Sequence, residues 1–344
     1  VTPSFTCTRL APSPTGALHL GHARTFLITW WLARSAGARI ILRMEDLDSR
    51  RAKPASVRQA YDDLRWLGID WDAGPPDAGG LHDQPASDEY VQSCRREFYE
   101  AALDRLWERE AIYPCTCSRA EILAAVAQSA GAPQEGDVEI RYPGTCRPTG
   151  EYTDARRDAR HAQAEYVQQE TGKPFCWRFH VADETVTFTD AVHGAQSWNV
   201  HADCGDFPVT RFDGTPAYQL AVVVDDAAMG VDMVIRGDDL LGSTPRQLLL
   251  ARVLGLPEPR YAHVPLVVGP DGKRLAKRHG ESRIAQFREH GVSAAAIVGW
   301  VAWRSGQIDR PAPMEARELI GRFDLTKLPR EQVIMTAEDL AWLR

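Results

Sequence analysis

"RLAPSPTGALHLGH", residues 9–22, ends a short apolar stretch, turns through Pro12 to Gly16 and then opens a helix on two histidines. The helix is expected to run from about His19 to Arg34 and to close at Gly37. Residues 5–10 ahead of it read as a short strand, and "ARIILRMED" (38–46) behind it as a β-branched, buried strand that ends in acids. Strand, turn, helix and strand in that order open a parallel α/β sheet. Histidine is a mediocre helix former and is expected to offer no capping advantage at position 19. A helix start carries unpaired N–H groups and partial positive charge, so this placement points to an anion in front of the helix, above all a phosphate.

The 344-residue chain is long enough for two or three domains with well-buried cores. Its hydrophobic share of 44% and charged share of 25% are ordinary for a globular protein. A net charge of −7 excludes a broadly basic nucleic-acid coat but leaves room for a local basic groove, because binding follows the local field. No basic segment leads into an apolar run at the start, and no apolar run approaches the ~18–20 residues of a membrane span. Seven cysteines at irregular spacing argue against a disulfide framework. The expectation is a cytoplasmic monomer without membrane contact.

Pro54 suits the first position of a helix in "PASVRQAYDDLRWLG" (54–68), with Gly68 at its stop, and a longer helix is expected from Asp88 to Glu110. Residues 111–204 change character, with a Cys-x-Cys, an Ala/Gly/Pro stretch at 128–136 and short strands at 175–190. Alternation returns in "AYQLAVVVDDAAMGVDMVIRGDDLL" (217–241), which reads as strand, helix, strand. One parallel sheet interrupted by an inserted α/β module is the simplest organisation. After residue 260 a hairpin-like "VPLVVGPDGKRLAKRHG" (264–280) leads into the helical "FREHGVSAAAIVGWVAWRS" (287–305).

Gly16 and Gly21 remove side chains where a base or phosphate chain must approach the backbone. His19 and His22, three apart, share a helix face and could donate to phosphoryl oxygens as charge builds in a transition state. The alternative is that both histidines merely pack in a core. Far along the chain, "GPDGKRLAKRHG" (269–280) makes a tight turn at Asp271-Gly272 and then crowds Arg274, Lys277 and Arg278 into a loop. Alone this is a solvated basic loop; paired with a phosphate-binding helix start, it is an arm that neutralises a leaving pyrophosphate.

Together the two stretches are similar to the paired motifs of the class I aminoacyl-tRNA synthetases. His19-Leu20-Gly21-His22 resembles their HIGH motif, and Arg274-Leu275-Ala276-Lys277-Arg278 resembles their KMSKS loop. "ILRMEDLD", "LRWLGIDWD", "AYQLAVVVDD", "RGDDLL" and "LAKRHG" resemble the glutamyl subgroup, from about residue 8 to about residue 300. Arg274 stands where the motif has its first lysine and Ala276 where it has serine, whereas Lys277 aligns with the ATP-binding lysine. The resemblance implies a ligase that uses ATP with Mg²⁺ to convert L-glutamate to glutamyl-adenylate. It implies His19, His22 and Lys277 as catalytic residues, and these with Gly16 and Gly21 as the ATP site. The divisions expected are 1–93 and 205–258 as two halves of a Rossmann-type catalytic domain, 94–204 as an inserted zinc-bearing module, and 259–344 as the KMSKS-like loop with a helical stem-contact segment.

Glutamate carries two carboxylates and one ammonium, so its site needs two cations and an anion. Arg9 and Arg236, each ending a predicted strand, suit planar carboxylate recognition, and Glu45 suits the ammonium. Strand ends of an open parallel sheet are also where ligands sit. The resemblance points to the same three residues and adds Ala11, Ser13 and Tyr218. The alternative is an internal Arg9–Glu45 ion pair. "YPCTCS" (113–118) and "RYPGTC" (141–146) offer three thiolates, Cys115, Cys117 and Cys146, where tetrahedral zinc needs four ligands. This pattern resembles the zinc site of short members of the subgroup, which implies one Zn²⁺ with Tyr142 as fourth ligand; three buried free cysteines are the alternative. Cys7, Cys94, Cys176 and Cys204 read as core packing, and Trp30, Trp31, Trp66 and Trp71 as core or rim.

Only 66 residues follow Arg278, enough for a helix cluster against an RNA stem but short of a further domain of about 150 residues. The short members attach glutamate to the queuosine base at the wobble position of tRNA(Asp), so the resemblance implies the tRNA(Asp) anticodon stem-loop as partner. The alternatives are an ordinary glutamyl-tRNA synthetase acting on tRNA(Glu), a small-molecule HxGH nucleotidyltransferase and a catalytically silent paralogue. Lys277→Ala is expected to cut adenylate formation by about a hundredfold or more, with the fold intact because an exposed loop cation contributes little to stability. Pyrophosphate exchange measured beside thermal unfolding checks both, and Arg274→Ala should be the milder change.

Overall fold

β1 (Cys7–Leu10) and β2 (Arg39–Leu42) pair in parallel, Cys7 opposite Arg39 and Leu10 opposite Leu42, with the helix α1 (Leu20–Ala36) between them in sequence. The computed structural model describes residues 4–48, 52–76, 87–130, 141–148, 160–273, 275 and 282–343, the side chains of 127–130 excepted. Gly37, at φ 65°, closes α1 as its sequence implies. The start differs from expectation: His19 is the N-cap. Its Nδ1 accepts the Gly21 N–H at 3.1 Å, and His22 Nδ1 accepts the His19 N–H at 3.2 Å. The two rings therefore do the reciprocal work that a hydroxyl and a carboxylate do at most capped starts. A Cβ on Gly21 would lie 3.0 Å from the His19 ring, so the glycine makes room for the cap.

α2 (Pro54–Trp66) starts on Pro54 and gives way at Gly68, φ 81°. The helix expected from Asp88 begins only at Arg96. Residues 88–94 form two 3₁₀ turns, and α3 spans Arg96–Glu108. Val91 bridges to Met44 beyond β2, and Asp46 accepts the N–H and hydroxyl of Ser93 at 2.8 and 2.6 Å, so this segment is bound to the strand end instead of to itself. Next come β3 (Ile112–Cys115), α4 (Arg119–Ala130), α5 (Arg160–Thr171), β4 (Cys176–Phe179), β5 (Val186–Asp190), β6 (Gly194–Trp198), the short α6 (Val200–Asp203) and β7 (Phe207–Pro208). β3, β4 and β7 form a small antiparallel sheet.

α7 (Tyr218–Ala228), β8 (Met233–Gly237), α8 (Thr244–Leu254) and β9 (Arg260–Val264) follow. "AYQLAVVV" is thus helical, not a strand. Every residue from Leu220 to Asp226 is buried, and packing on all sides overrides the strand preference of the valines. β8 and β9 pair in parallel, and β9 receives β5 on its other side, in the order β6-β5-β9-β8. The β5–β6 hairpin, from within residues 94–204, therefore hydrogen-bonds into the main sheet. β1 lies beside β8, where the Asp232 N–H donates to Cys7 O at 3.1 Å and Thr8 Oγ1 donates to Met233 O at 2.8 Å. The chain ends with β10 (Val267–Val268), α9 (Ile284–Glu289), α10 (Ala294–Arg304), β11 (Val333–Ile334) and α11 (Ala337–Trp342). The tight turn at Asp271-Gly272 is present, Gly272 at φ 70°, and the Gly269 N–H donates to Lys273 O at 2.8 Å across it as the hairpin-like reading expects; the rest of the second arm lies outside the described residues except Leu275, and β10 pairs in parallel with β11.

Alternate residues of the parallel strands feed two cores. Leu10, Ile40, Leu42, Met233, Ile235 and Val264 pack with α1 and α10, while Cys7, Ile41, Val234 and Tyr261 pack with α3, α7 and α8. Apolar on both faces and covered on both, these strands define a Rossmann-like α/β layer structure. Trp30, Trp31, Trp71, Cys7, Cys176 and Cys204 are buried as expected; Cys94 is exposed instead, because it lies in a 3₁₀ turn outside the helix. No helix of the described residues is long and apolar enough to cross a membrane.

Asp63 of α2 is fully buried, with Oδ1 accepting from Gln59 Nε2 at 2.7 Å and Oδ2 without a hydrogen-bond partner among the described residues. Burial pushes its carboxyl from 3.8 up to about 6. A carboxyl raised in the folded state favours folding below its unfolded pKa and loses that contribution as pH rises through the folded one. Asp63→Asn should therefore remove a destabilisation of up to about 3 kcal/mol that develops between about pH 4 and pH 7. Thermal unfolding of both proteins across that range reads it directly.

Candidate active site

On the sheet face toward α7 and α8, every central strand turns from apolar to basic at its carboxyl end. Cys7 is followed two residues later by Arg9, Ile41 by Arg43, Val234 by Arg236 and Tyr261 by His263, each pair on one face by the two-residue period of a strand. All four basic residues are buried. α7 supplies two acids in return. Asp226 Oδ1 accepts from Arg43 Nη1 at 2.6 Å and lies 3.4 Å from Arg9 Nε. Asp225 accepts from Arg95 Nε at 2.6 Å, Gln92 Nε2 at 2.8 Å and Tyr99 OH at 3.0 Å. Burial raises the Asp226 carboxyl, but Arg43 and Arg9 outweigh it and hold the group below the ordinary carboxylate range. Arg43, Arg95, Asp225 and Asp226 escaped the sequence reading. For Arg43, Asp225 and Asp226 the signal was a charge set inside the apolar runs "IILRM" and "AVVVDDAA"; Arg95, in the polar stretch "VQSCRREF", carries no such mark.

A cavity of about 320 Å³ opens over this edge. The six residues predicted for glutamate, Arg9, Ala11, Ser13, Glu45, Tyr218 and Arg236, all line it, and so do His19, Gly21 and His22 from the start of α1. Gly16 is not in the lining; it sits exposed on the preceding turn, with nothing within 4 Å of where a Cβ would be. Lys277, with Arg274, Ala276 and Arg278, lies outside the described residues, while Leu275 reaches the cavity wall. No Arg9–Glu45 ion pair forms among the described residues. Glu45 takes Arg43 Nη2 at 3.2 Å and the Ser13 hydroxyl at 3.4 Å, and burial draws its carboxyl upward against the pull of Arg43 and Arg9.

The His19 and His22 rings are stacked, centroids 3.8 Å apart. Because both Nδ1 atoms accept backbone N–H groups, each neutral ring carries its proton on Nε2 and is a donor there. Arg236 is held differently from Arg9. Its Nε donates to His263 Nε2 at 3.0 Å, Nη1 to Gln247 Oε1 at 2.8 Å, and Nη2 to Thr244 Oγ1 at 2.8 Å and Leu240 O at 3.3 Å.

The cysteines of the two short motifs meet in the small sheet. Cys115, Cys117 and Cys146 place their Sγ atoms within 4.8 Å of one another, with Cys117 and Cys146 at 3.4 Å. Tyr142 OH stands 3.4 Å from Cys115 Sγ and 3.9 Å from Cys117 Sγ. A tetrahedral zinc with the usual sulfur and oxygen bond lengths needs ligand-to-ligand edges of roughly 3.5–3.8 Å, and the Cys117–Cys146, Cys115–Tyr142 and Cys117–Tyr142 separations of 3.4, 3.4 and 3.9 Å lie near that range. The buried Arg178, missed in the sequence, lies over the Tyr142 ring with its guanidinium carbon 3.9 Å from the centroid.

Residues 6–342 match the family model of the catalytic domain of class I tRNA synthetases (E and Q). The chain belongs to this family, and its members are ligases. It is 50% identical over 98% of both chains to the glutamyl-Q tRNA(Asp) synthetase of Symbiobacterium thermophilum. It is 36% identical to the glutamate–tRNA ligase of Geobacter sulfurreducens, covering 97% of this chain but 64% of that protein. In three dimensions it is similar to the crystal structure of a glutamate tRNA ligase from Elizabethkingia meningosepticum in complex with its amino acid. The TM-score is 0.78 at 27% identity, over 98% of this chain and 68% of that one.

Proposed function

We propose that this protein activates L-glutamate with ATP, in the presence of Mg²⁺, and transfers the glutamyl group to the queuosine base of tRNA(Asp). The observation that carries the first half is the cavity itself, which puts Arg9, Arg236 and Glu45 beside the two donor histidines of α1. Two guanidinium groups and one carboxylate complement the charges of free glutamate. The substrate carboxylate is the nucleophile: its oxygen bonds to the α-phosphorus of ATP, the bond to the bridging oxygen breaks, and pyrophosphate leaves with the electron pair. His19 and His22 donate through Nε2 to the phosphoryl oxygens, and Lys277 neutralises the departing phosphates. Gly21 belongs to this site through the cap it permits. Gly16 is proposed as part of the approach to the ATP phosphates.

The end-to-end match to glutamyl-Q tRNA(Asp) synthetases, at higher identity than to glutamate–tRNA ligases, supports the second half. In this reading residues 94–204 form the RNA-facing insertion, although β5 and β6 also serve the main sheet. Residues 259–344 contact the RNA stem of the tRNA(Asp) anticodon arm. Cys115, Cys117, Tyr142 and Cys146 would hold one Zn²⁺, which would brace the insertion. Arg178, over the Tyr142 ring, would offset the surplus negative charge that three thiolates and a phenolate carry when they hold the metal.

Labelled glutamate offered to tRNA(Asp) with and without queuosine, and to tRNA(Glu), tests the acceptor. Transfer should occur only to the queuosine-bearing tRNA(Asp), and adenylate should form without any tRNA; charging of tRNA(Glu) alone would restore the ordinary synthetase. Metal analysis of freshly purified protein should find one zinc per chain, lost in Cys115→Ser. That variant should lose RNA transfer before it loses pyrophosphate exchange, because the cavity stands on the main sheet.

A further inference from the structure

Arg236 is a buried cation whose four hydrogen-bond partners are an imidazole, an amide oxygen, a hydroxyl and a backbone carbonyl. Among the described residues no carboxylate forms an ion pair with it, whereas Arg9 and Arg43 share Asp226. A buried charge left in this state is costly until an anion arrives. Of its five N–H groups, one on Nη1 remains for the cavity that Arg236 lines.

Three adjacent strands decide what holds the guanidinium. The β8–β9 register sets His263 opposite Arg236, and β5 ends against β9 at Asp190. Asp190 Oδ2 lies 2.7 Å from His263 Nδ1, and this carboxylate also accepts the N–H groups of Val192 and His193 at 2.9 Å. Nδ1 therefore carries the proton, and Nε2 is left as the acceptor for Arg236 Nε–H. Tyr261 lies along both groups, its ring 5.9 Å from the imidazole and 5.3 Å from the guanidinium carbon. Burial, helped by Arg236, brings His263 down to about 4, so the ring adds no charge at neutral pH.

We infer that His263 is a positioning residue for the substrate carboxylate: backed by Asp190, it fixes the plane of Arg236 through a neutral acceptor and leaves the guanidinium charge to the ligand. The inference rests on the glutamate reading of the cavity. No sequence motif carries it, since Asp190, Arg236 and His263 are brought together by strand order alone.

Glutamate-dependent pyrophosphate exchange by the full chain tests it, with KM for glutamate and for ATP measured separately and thermal unfolding alongside. His263→Ala should raise the glutamate KM by about tenfold to a hundredfold through misplacement of Arg236, with the ATP KM changed less than about twofold. His263→Gln, whose side-chain oxygen can still accept from Nε, should recover most of that loss. If His263→Ala does not fold, His263→Leu, which keeps the volume but cannot accept from Nε, reads the same split. Equal rises in both KM values, or a Gln variant no better than Ala, would mark a merely structural role and overturn the inference. A silent His263→Ala beside an Arg236→Ala that raises the glutamate KM overturns the inference alone. An Arg236→Ala with unchanged glutamate KM removes the glutamate reading and the inference with it.

Discussion

Four parallel strands each place a basic side chain at the last inward position of one face, and the rest of the active-site architecture answers that crowding. Uncompensated, Arg9, Arg43, Arg236 and their neighbour Arg95 would put four guanidinium groups into a buried edge, a prohibitive desolvation and repulsion. Asp225 and Asp226 on α7 compensate three of them. This requires α7 to be a helix at that point, with two consecutive acids reaching different partners, and it requires the second 3₁₀ turn and the start of α3 to bring Gln92, Arg95 and Tyr99 alongside. Removing one member of such a group would strand its partner's charge, at about 3–5 kcal/mol. Arg236 is left out of the compensation, and on this its proposed role as receptor for an incoming carboxylate rests.

The start of α1 solves a second problem with the same economy of groups. Its first N–H donors are partly satisfied by the His19 and His22 rings, and this use of Nδ1 puts the proton of each neutral ring on Nε2. Capping and the proposed phosphate contacts thus draw on opposite sides of the same two imidazoles. Gly21 eases this arrangement, because a Cβ there would press on the His19 ring at 3.0 Å.

The cysteine-bearing side of the small sheet is set apart from this edge, although Ile112, Trp177, Phe179 and Phe207 of the same sheet share the core of α3, α7 and α8. Its small cluster of Tyr113, Cys115, Tyr142 and Cys176 is separate from the two large cores, and Tyr142 is pinned at its backbone by a hydrogen bond to Cys204 O at 2.9 Å. Gly205 permits that approach, since a Cβ there would come within 2.7 Å of the Tyr142 carbonyl oxygen. A metal bound here would stiffen this sheet without touching the cavity, which is why the two proposed activities should separate on its loss.

The opening unit was legible in the sequence because its signals are local. A β-branched run, a Pro/Gly turn, and glycines at 37 and 68 act through backbone sterics that need no distant partner. The pocket residues Arg9, Glu45, Tyr218 and Arg236 were legible for a related reason: strand ends are where a parallel sheet binds ligands, and the neighbouring stretches resemble a known family. Local signals misled where a distant contact prevailed. Val91 and Ser93 pair with the end of β2 and delay α3 to Arg96, and the valines of α7 are helical because apolar neighbours surround them. Only the tertiary structure could decide which charges compensate one another. The Arg43–Asp226 contact spans 183 residues and the Asp190–His263 contact 73, and each depends on strand order and register, which side-chain chemistry alone does not encode.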